Sequence, residues 1–178
     1  MSRITIPAHS EVPSDSRPLL DEVTSQLGFT PNLHRLMSIS PAVLSGFICL
    51  QRSLGKTLDR STRDMIAFVV SEANGCHYCL AAHNYTASKP GNASPEDIAR
   101  YRDGEGIDLP TAAAGDFARQ VIDKRGHVTK ADIAAVREAG FSDAQILEMV
   151  ALSVQFTLSN YLNSVAGTEI DFPPIDSF

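Results

Sequence analysis

Helix-boundary signals recur along this chain and constrain its fold more than any other feature. Several apolar, helically periodic segments are preceded by a serine or threonine that can accept a hydrogen bond from the first turn. Proline often follows at the first helical position, and glycine often stops the segment. The clearest starts are Ser40-Pro41, Ser94-Pro95, Thr129 and Ser142. Strand signals are scarce, so the sequence predicts an all-α chain of about eight helices.

The predicted helices follow one another closely, and we expect a single domain over residues 1–178. An irregular N-terminal arm, residues 1–17, precedes them, and a non-helical tail, residues 167–178, follows. Ser61 is the predicted cap of a helix that is apolar nearly all round, which is typical of a central helix. The predicted helical segments are about 18–26, 31–37, 41–54, 62–73, 76–88, one beginning at 95, 111–124, 130–139 and 143–165.

Composition excludes several classes of function. The net charge of -6 argues against nucleic acid, because phosphate binding requires a basic face. No apolar run is long enough to span a bilayer, and the first residues lack the apolar core of a signal peptide. The 3 cysteines are too few for a secreted disulfide framework. We therefore expect a cytoplasmic protein.

Two of these cysteines form the pair Cys76-x-x-Cys79, and His83 follows one helical turn later. In a helix, at ~100° per residue, the three side chains fall within an arc of roughly 60°. Cys76 follows a glycine break, so it would lie in the first turn, where the helix dipole favours a thiolate. His83 could take the Cys79 proton or stabilise its thiolate. Thiol redox chemistry, such as peroxide reduction, is the leading interpretation.

Other interpretations of these residues stay open. Cys76, Cys79 and His83 are all possible zinc ligands, although structural zinc sites usually split their ligands between two segments. The third cysteine, Cys49, lies in an apolar helix and is expected to be a small core residue. His77 lies off the cysteine face by roughly 100° and is interpreted as a flanking residue. The remaining histidines, expected to be solvated, are His9, His34 and His127.

A longer block around the pair resembles a known family. Residues 63–83, RDMIAFVVSEANGCHYCLAAH, are similar to the alkylhydroperoxidase D and carboxymuconolactone decarboxylase superfamily, in particular its peroxidase-related branch. Further similarity lies in LGFTPNL at 27–33, NYLN at 160–163 and DFP at 171–173. The resemblance implies an alkylhydroperoxidase D-like helical fold and a homo-oligomer, often a trimer or hexamer, with a dimer possible.

The resemblance also implies residue roles. Cys79 would attack peroxide, Cys76 would resolve the oxidised sulfur, and His83 would belong to a proton relay. His77 counts among the functional residues of some family members, which favours a catalytic role for it too. Because decarboxylase members generally lack the paired cysteines, the pair favours the peroxidase side.

The expected relay contains one departure from the family pattern. A glutamate normally lies 12 residues before the first cysteine, and this chain has Asp64 there. Its carboxylate reaches ~1.5 Å less, about one bond length. A bridging water could fill that gap, the relay could be weaker, or Glu72 could serve instead. Asp64 could also act only as a first-turn partner of its own helix dipole.

The leading hypothesis is a thiol-dependent peroxidase, with a role in antioxidant defence. It would reduce hydrogen or organic hydroperoxides through a Cys76–Cys79 dithiol/disulfide cycle, without a metal, haem or flavin. An external dithiol or a protein would be the reductant. The alternatives are a decarboxylase-like lyase that uses His83 for proton transfer, and a non-enzymatic metal-binding helical module.

Overall fold

Local capping signals place most helix boundaries in this computed structural model, which describes residues 2–173. Nine α-helices lie in that range, one for each predicted segment, and α2 has only 6 residues, so the expectation of about eight helices fits those of 7 residues or more. Two short 3-10 helices lie in the N-terminal arm. The helices are α1 Arg17–Leu27, α2 Asn32–Met37, α3 Pro41–Leu54, α4 Arg60–Ala73, α5 His77–Ala87, α6 Pro95–Arg102, α7 Leu109–Asp123, α8 Lys130–Glu138 and α9 Asp143–Ala166.

The predicted caps are confirmed for several helices, and one is wrong. Ser40, Ser94, Thr129 and Ser142 each accept a hydrogen bond from a first-turn N–H. At α4 the cap is Asp59 rather than Ser61, since the Asp59 carboxylate accepts from the Thr62 N–H at 2.8 Å. The Ser61 hydroxyl donates to the same carboxylate. A carboxylate two residues earlier therefore displaces the serine and starts the helix at Arg60.

The central helix is α4, as predicted from its apolar circumference. Its middle turns, from Met65 to Val70, are all buried, and α7, α9, α5 and α6 pack around it. Gly115 on α7 lies directly over the Met65 side chain, where a Cβ would overlap the methionine. This glycine lets α7 approach α4 closely. The result is one all-α domain in which α4 supports the cysteine-bearing α5.

The outward faces of α3 and α9 both carry exposed side chains. Cys49 is not a core residue: it is exposed, because α3 buries the face carrying Leu44, Phe47 and Ile48. On α9 an outward stripe of apolar side chains stays exposed although the rest of the helix is packed. The α9 stripe is Leu147, Val154, Leu158, Tyr161 and Val165. Within residues 2–173, no helix is both long and apolar enough to cross a membrane.

The C-terminal segment folds back over the N-terminal half. The Asp171 carboxylate accepts a hydrogen bond from the Asn32 N–H at 2.7 Å, at the start of α2. Phe172 is buried among the rings of Phe29, Tyr78 and Tyr85. Residues 167–173 are non-helical, as predicted, and the rest of the predicted tail, 174–178, lies outside the described residues.

Candidate active site

The cysteine pair lies at the tight turn between α4 and α5. Gly75 adopts a positive φ of 62°, which a side chain would disfavour, and turns the chain after α4. Cys76 was expected within the first turn of α5 but is its N-cap. Its Sγ accepts a hydrogen bond from the Cys79 N–H at 3.3 Å. The two Cα atoms are 5.3 Å apart and the sulfurs are joined as a disulfide. Both cysteines are buried, and the turn places them within bonding distance of each other.

A buried amide contacts the second cysteine. The Nδ2 of Asn163, on α9, donates to the Cys79 Sγ at 3.3 Å. Asn163 is 4% exposed, and its Oδ1 makes no hydrogen bond with a described residue. One turn earlier, Asn160 accepts from Asn74 and donates to Ser71. The Asn160 bonds tie α9 to the end of α4, just before the cysteines.

Cys79, but not Cys76, opens onto a cavity of about 270 Å³. His83 lines the same cavity, as predicted for a residue on the cysteine face. Among the described lining residues there is no Asp, Glu, Lys or Arg. The lining side chains are Val23, Gln26, Leu27, Pro31, Leu33, His34, Phe47, Gln51, Tyr78, Cys79, Ala82, His83, Thr86, Gln155, Phe156, Ser159 and Phe172.

His83 is held between two aromatic rings. Its ring centroid lies 6.1 Å from that of Phe68 on α4 and 5.0 Å from that of Phe156 on α9. Burial lowers the pKa of His83 to about 4. The imidazole is therefore neutral at pH 7, and its lowered pKa makes it a weak proton acceptor. The two roles expected for His83, taking the Cys79 proton and stabilising the thiolate, stay predictions.

His34 lies in the cavity wall, which sequence reasoning missed. The prediction of a solvated side chain is wrong. As α2 packs, the His34 and Phe47 rings lie edge to face, with their centroids 6.2 Å apart. Burial lowers its pKa to about 4, and its Nδ1 makes no hydrogen bond with a described residue. His9 and His127 are exposed as expected. A second neutral imidazole therefore lines the cavity.

Tyr78, between the cysteines, links the site to the C-terminal segment. Its hydroxyl accepts from the Leu33 N–H at 3.0 Å and donates to the Asp171 carboxylate at 2.9 Å. Burial raises the pKa of this phenol well above its usual range. Tyr78 therefore stays neutral and has a packing role, while Phe172 forms part of the cavity wall.

The structure does not bring the other predicted site residues to this cavity. The Asp64 carboxylate pairs with Arg60 at 3.2 Å and lines a separate cavity beside Tyr101. Burial raises the pKa of Asp64, although Arg60 and Arg63 oppose this shift. Glu72 and His77 are both exposed. Their places in a relay remain predictions.

Potential metal ligands do not form a larger cluster. Within residues 2–173, no group of three or more His, Cys, Asp and Glu side chains is arranged to hold a metal ion. The residues that sequence reasoning missed are instead neutral polar groups: Asn163, Gln155 and His34. Asn163 lies in the NYLN segment, which is the one sequence signal that could have pointed to it.

The fold and the site together define a class: an all-helical protein with a buried cysteine pair beside an apolar cavity. Residues 45–124, which hold α4, α5 and both cysteines, match the carboxymuconolactone decarboxylase family. The chain is similar to this family over 80 of its 178 residues and has an alkylhydroperoxidase D-like helical fold. The predicted resemblance and the predicted fold class are therefore confirmed.

Solved structures have the same fold. One is an uncharacterized peroxidase-related protein from Ralstonia eutropha JMP134, described as an alkylhydroperoxidase AhpD core. It is 28% identical to this chain with a TM-score of 0.83, and the match covers 96% of this chain and 92% of that protein. A peroxidase-related protein from Silicibacter sp. TM1040 is 23% identical with a TM-score of 0.82, covering 94% and 91%.

The same fold also occurs in a debrominase. The debrominase Bmp8 is 19% identical with a TM-score of 0.78, covering 95% of this chain and 92% of its own, a likeness that concerns the fold alone. No curated protein sequence is significantly similar to the chain.

Proposed function

We propose that this protein is a cytoplasmic thiol peroxidase that reduces hydroperoxides through a Cys76–Cys79 dithiol/disulfide cycle, in antioxidant defence. One observation carries the proposal: Cys79 lines the cavity together with His83, while Cys76 lies behind it in bonding contact. A substrate in the cavity would reach only the second cysteine. This arrangement supports attack by Cys79 and resolution by Cys76.

The cycle conserves atoms and electrons in two steps. The Cys79 thiolate attacks the terminal oxygen of ROOH, the O–O bond breaks, and RO⁻ leaves and takes a proton to become ROH. Cys76 sulfur then attacks the Cys79 sulfenic acid, the S–S bond forms, and water leaves. The dithiol has lost two electrons, and an external dithiol or protein reductant returns them by thiol–disulfide exchange.

Two neighbours of Cys79 would assist the first step. His83 shares the cavity and would relay the thiol proton to the leaving alkoxide. Its lowered pKa opposes acceptance of that proton but favours its release to the alkoxide. The Asn163 N–H group already points at the Cys79 sulfur and would donate to the thiolate without reorganising. Asp64 and His77 remain predicted relay residues. A loss of more than tenfold in turnover for Asp64→Asn or His77→Gln would support them.

The homo-oligomer implied by the family also remains a proposal. The α9 stripe is a candidate contact surface for this assembly, because contiguous exposed apolar side chains mark interaction sites. We expect this stripe to meet a second copy of the chain.

The lyase alternative fits the cavity less well. A lactone-like acid is an anion, and the described cavity wall offers no Lys or Arg to balance its charge. The metal-binding alternative predicts about one zinc per chain in protein purified without a tag. Elemental analysis distinguishes it from the peroxidase, which would retain activity after chelation.

A peroxidase assay with a small-molecule dithiol as reductant tests the proposal directly. Cys79→Ser should abolish turnover. Cys76→Ser, treated with peroxide after the dithiol has been removed, should consume one equivalent and accumulate a sulfenic acid visible by mass spectrometry. Cys49→Ser is the matched control and should keep full activity, because Cys49 is exposed on α3 outside the cavity. If peroxide leaves the Cys76 and Cys79 thiols unconsumed, the proposal fails. Equal residual activity in the two variants would refute the assigned order.

A further inference from the structure

A second cavity, which we call the α4/α6 cavity, lies where the start of α4 faces α6. Its volume is about 340 Å³, within the range of ~300–1,000 Å³ that small-molecule sites occupy. It shares no described lining residue with the cavity beside Cys79. Its charged lining residues are Asp59, Arg60, Asp64 and Asp97. Three aspartates and one arginine give the wall an excess of two negative charges at pH 7.

Two of these aspartates each keep one carboxylate oxygen free. Asp64, on α4, accepts from Arg60 through Oδ2, and Asp97, on α6, accepts from Ser94 through Oδ2. The Oδ1 atoms of both carboxylates make no hydrogen bond with a described residue. Asp59 instead uses both of its oxygens at the start of α4. The unbalanced negative charge of the cavity therefore lies at two carboxylates on different helices.

A buried phenol faces these carboxylates without a hydrogen bond. Tyr101, on α6, is 1% exposed, and its ring stacks on that of Phe68 with the centroids 6.1 Å apart. Its hydroxyl makes no hydrogen bond with a described residue. Burial raises the pKa of Tyr101 to about 12, and the nearby charges of Asp97 and Asp64 add to this shift. The hydroxyl is therefore neutral and directed at the charged wall. A buried polar group without a partner marks a place that a ligand can satisfy.

The acidic side chains are not arranged as metal ligands are. Within residues 2–173, no group of three or more His, Cys, Asp and Glu side chains is placed to hold a metal ion. Two carboxylates on separate helices suit instead a cation whose charge is divided between two ends. Ile107 and Ala93 add apolar surface to the same wall, which methylene groups can contact.

We propose that the α4/α6 cavity binds a compact aliphatic diamine, whose two ammonium groups donate to the free oxygens of Asp64 and Asp97 and to the Tyr101 hydroxyl. The two positive charges of the ligand balance the two negative charges of the wall, and such charge-assisted hydrogen bonds are the strong ones. Its methylene chain packs against Ile107. This binding goes beyond the proposed peroxidase function and does not depend on it, because the two cavities have separate walls.

Calorimetry with 1,4-diaminobutane at pH 7.5 and low ionic strength tests the assignment. Both of its amines are protonated there, because alkyl ammonium groups have pKa values of about 10.4. Two probes of the same chain length provide the comparison: 1-aminobutane, which keeps one charge, and 1,4-butanediol, which has none. We expect the diamine to bind most tightly and the diol at least about tenfold more weakly than the diamine. Added sodium chloride should weaken binding of the diamine, because salt screens charges.

Tyr101→Phe removes only the unpartnered hydroxyl. It should leave the Tm within about 2 °C, because no hydrogen bond with a described residue is lost, and weaken binding of the diamine about tenfold. A purely structural role of Tyr101 would instead lower the Tm and leave the affinity unchanged. Tyr161→Phe removes the same atom from an exposed position on α9 and should change neither quantity.

Asp97→Asn tests the charge. It removes one negative charge but keeps an acceptor for the start of α6, so the diamine should bind about tenfold more weakly while the helix stays capped. Glu138→Gln, exposed on α8 and outside the cavity, changes the net charge by the same amount. In this control the affinity should stay within about twofold.

Several outcomes would overturn the assignment. They are no binding of the diamine, equal affinity for the diamine and the diol, or equal losses in Asp97→Asn and Glu138→Gln. Displacement of the diamine by an equal concentration of magnesium chloride would overturn the choice of a diamine over a metal ion. None of these measurements involves peroxide, so an active peroxidase that fails them would keep its proposed function and lose this site. The expected binding order in a protein that reduces no peroxide would support the site and refute the peroxidase.

Discussion

Replacing Asn163 with leucine should slow the reaction of Cys79 with electrophiles. The Asn163 amide donates to the Cys79 sulfur at 3.3 Å from a position that is 4% exposed. Hydrogen bonds to charged groups contribute ~1.5–3 kcal/mol, and sulfur is a weak acceptor, so we take the lower value. At about 1.4 kcal/mol per factor of ten, the thiolate population of Cys79 at pH 7 should fall about tenfold.

The assay uses protein in which Cys79 is the single thiol. Cys49→Ser and Cys76→Ser remove the other 2 of the 3 cysteines. Iodoacetamide alkylation is then followed against pH. In Asn163→Leu the rate at pH 7 should be about tenfold lower, and the whole pH–rate profile should move up by about one pH unit. Rates at high pH, where the thiol is fully ionised in both proteins, should converge.

Two further variants separate electrostatics from packing. Asn163→Asp keeps the shape but replaces the donor with an acceptor, so the decrease should be at least as large. Ser164→Ala, at an exposed neighbouring position on α9, should leave the profile unchanged. If Asn163→Leu is folded, as judged by circular dichroism, and alkylates within twofold of its parent at pH 7, the reasoning is wrong.

Three other predictions concern stability and assembly. The free energy of unfolding should fall by ~2 kcal/mol per buried histidine between pH 7.5 and 5, because the unfolded chain protonates near pH 6.5 while His34 has a folded pKa of about 4. In urea titrations, the decrease in the free energy of unfolding between these pH values should be smaller in His34→Gln by the contribution of this one histidine. A decrease equal to that of the unaltered protein would contradict the prediction. Tyr78→Phe removes the acceptor of the Leu33 N–H and one of the donors to the Asp171 carboxylate, so calorimetry should show a loss of about 1–3 kcal/mol and a Tm lower by ~2–10 °C. A change under about 1 °C would argue against this link. Val154→Glu on the α9 stripe should give a smaller species in light scattering, whereas the control Leu109→Glu should not; a wild-type monomer would refute the oligomer.

Local signals predicted the helices because caps and breaks act over one turn. Gly28, Ser40 and Ser142 act within their own segments, and the helices they bound lie within a residue or two of the expected positions. The Ser61 prediction is wrong because Asp59, also local, caps the helix two residues earlier and accepts from the Thr62 N–H and hydroxyl. The cysteine face was predictable for the same reason, since one helix presents both Cys79 and His83 to the cavity.

The rest of the site depends on contacts between distant parts of the chain. Asn163 meets Cys79 across 84 positions in sequence, and no periodicity within α9 reveals that contact. His34 reads as a polar residue in a short helix, and only the packing of α2 against Phe47 makes it part of the cavity wall. The prediction for Cys49 is wrong in the opposite direction. An apolar helix was expected to bury it, but α3 has a second, exposed face.

The N-cap position of Cys76 affects how its substitutions must be interpreted. The sulfur that would resolve an oxidised Cys79 also accepts the hydrogen bond from the Cys79 N–H at the start of α5. Serine preserves such an acceptor, whereas alanine removes it and leaves the first turn of the helix free to fray. Cys76→Ala would therefore remove the resolving thiol and also loosen the first turn of α5 that holds Cys79. Only Cys76→Ser tests the loss of the thiol alone.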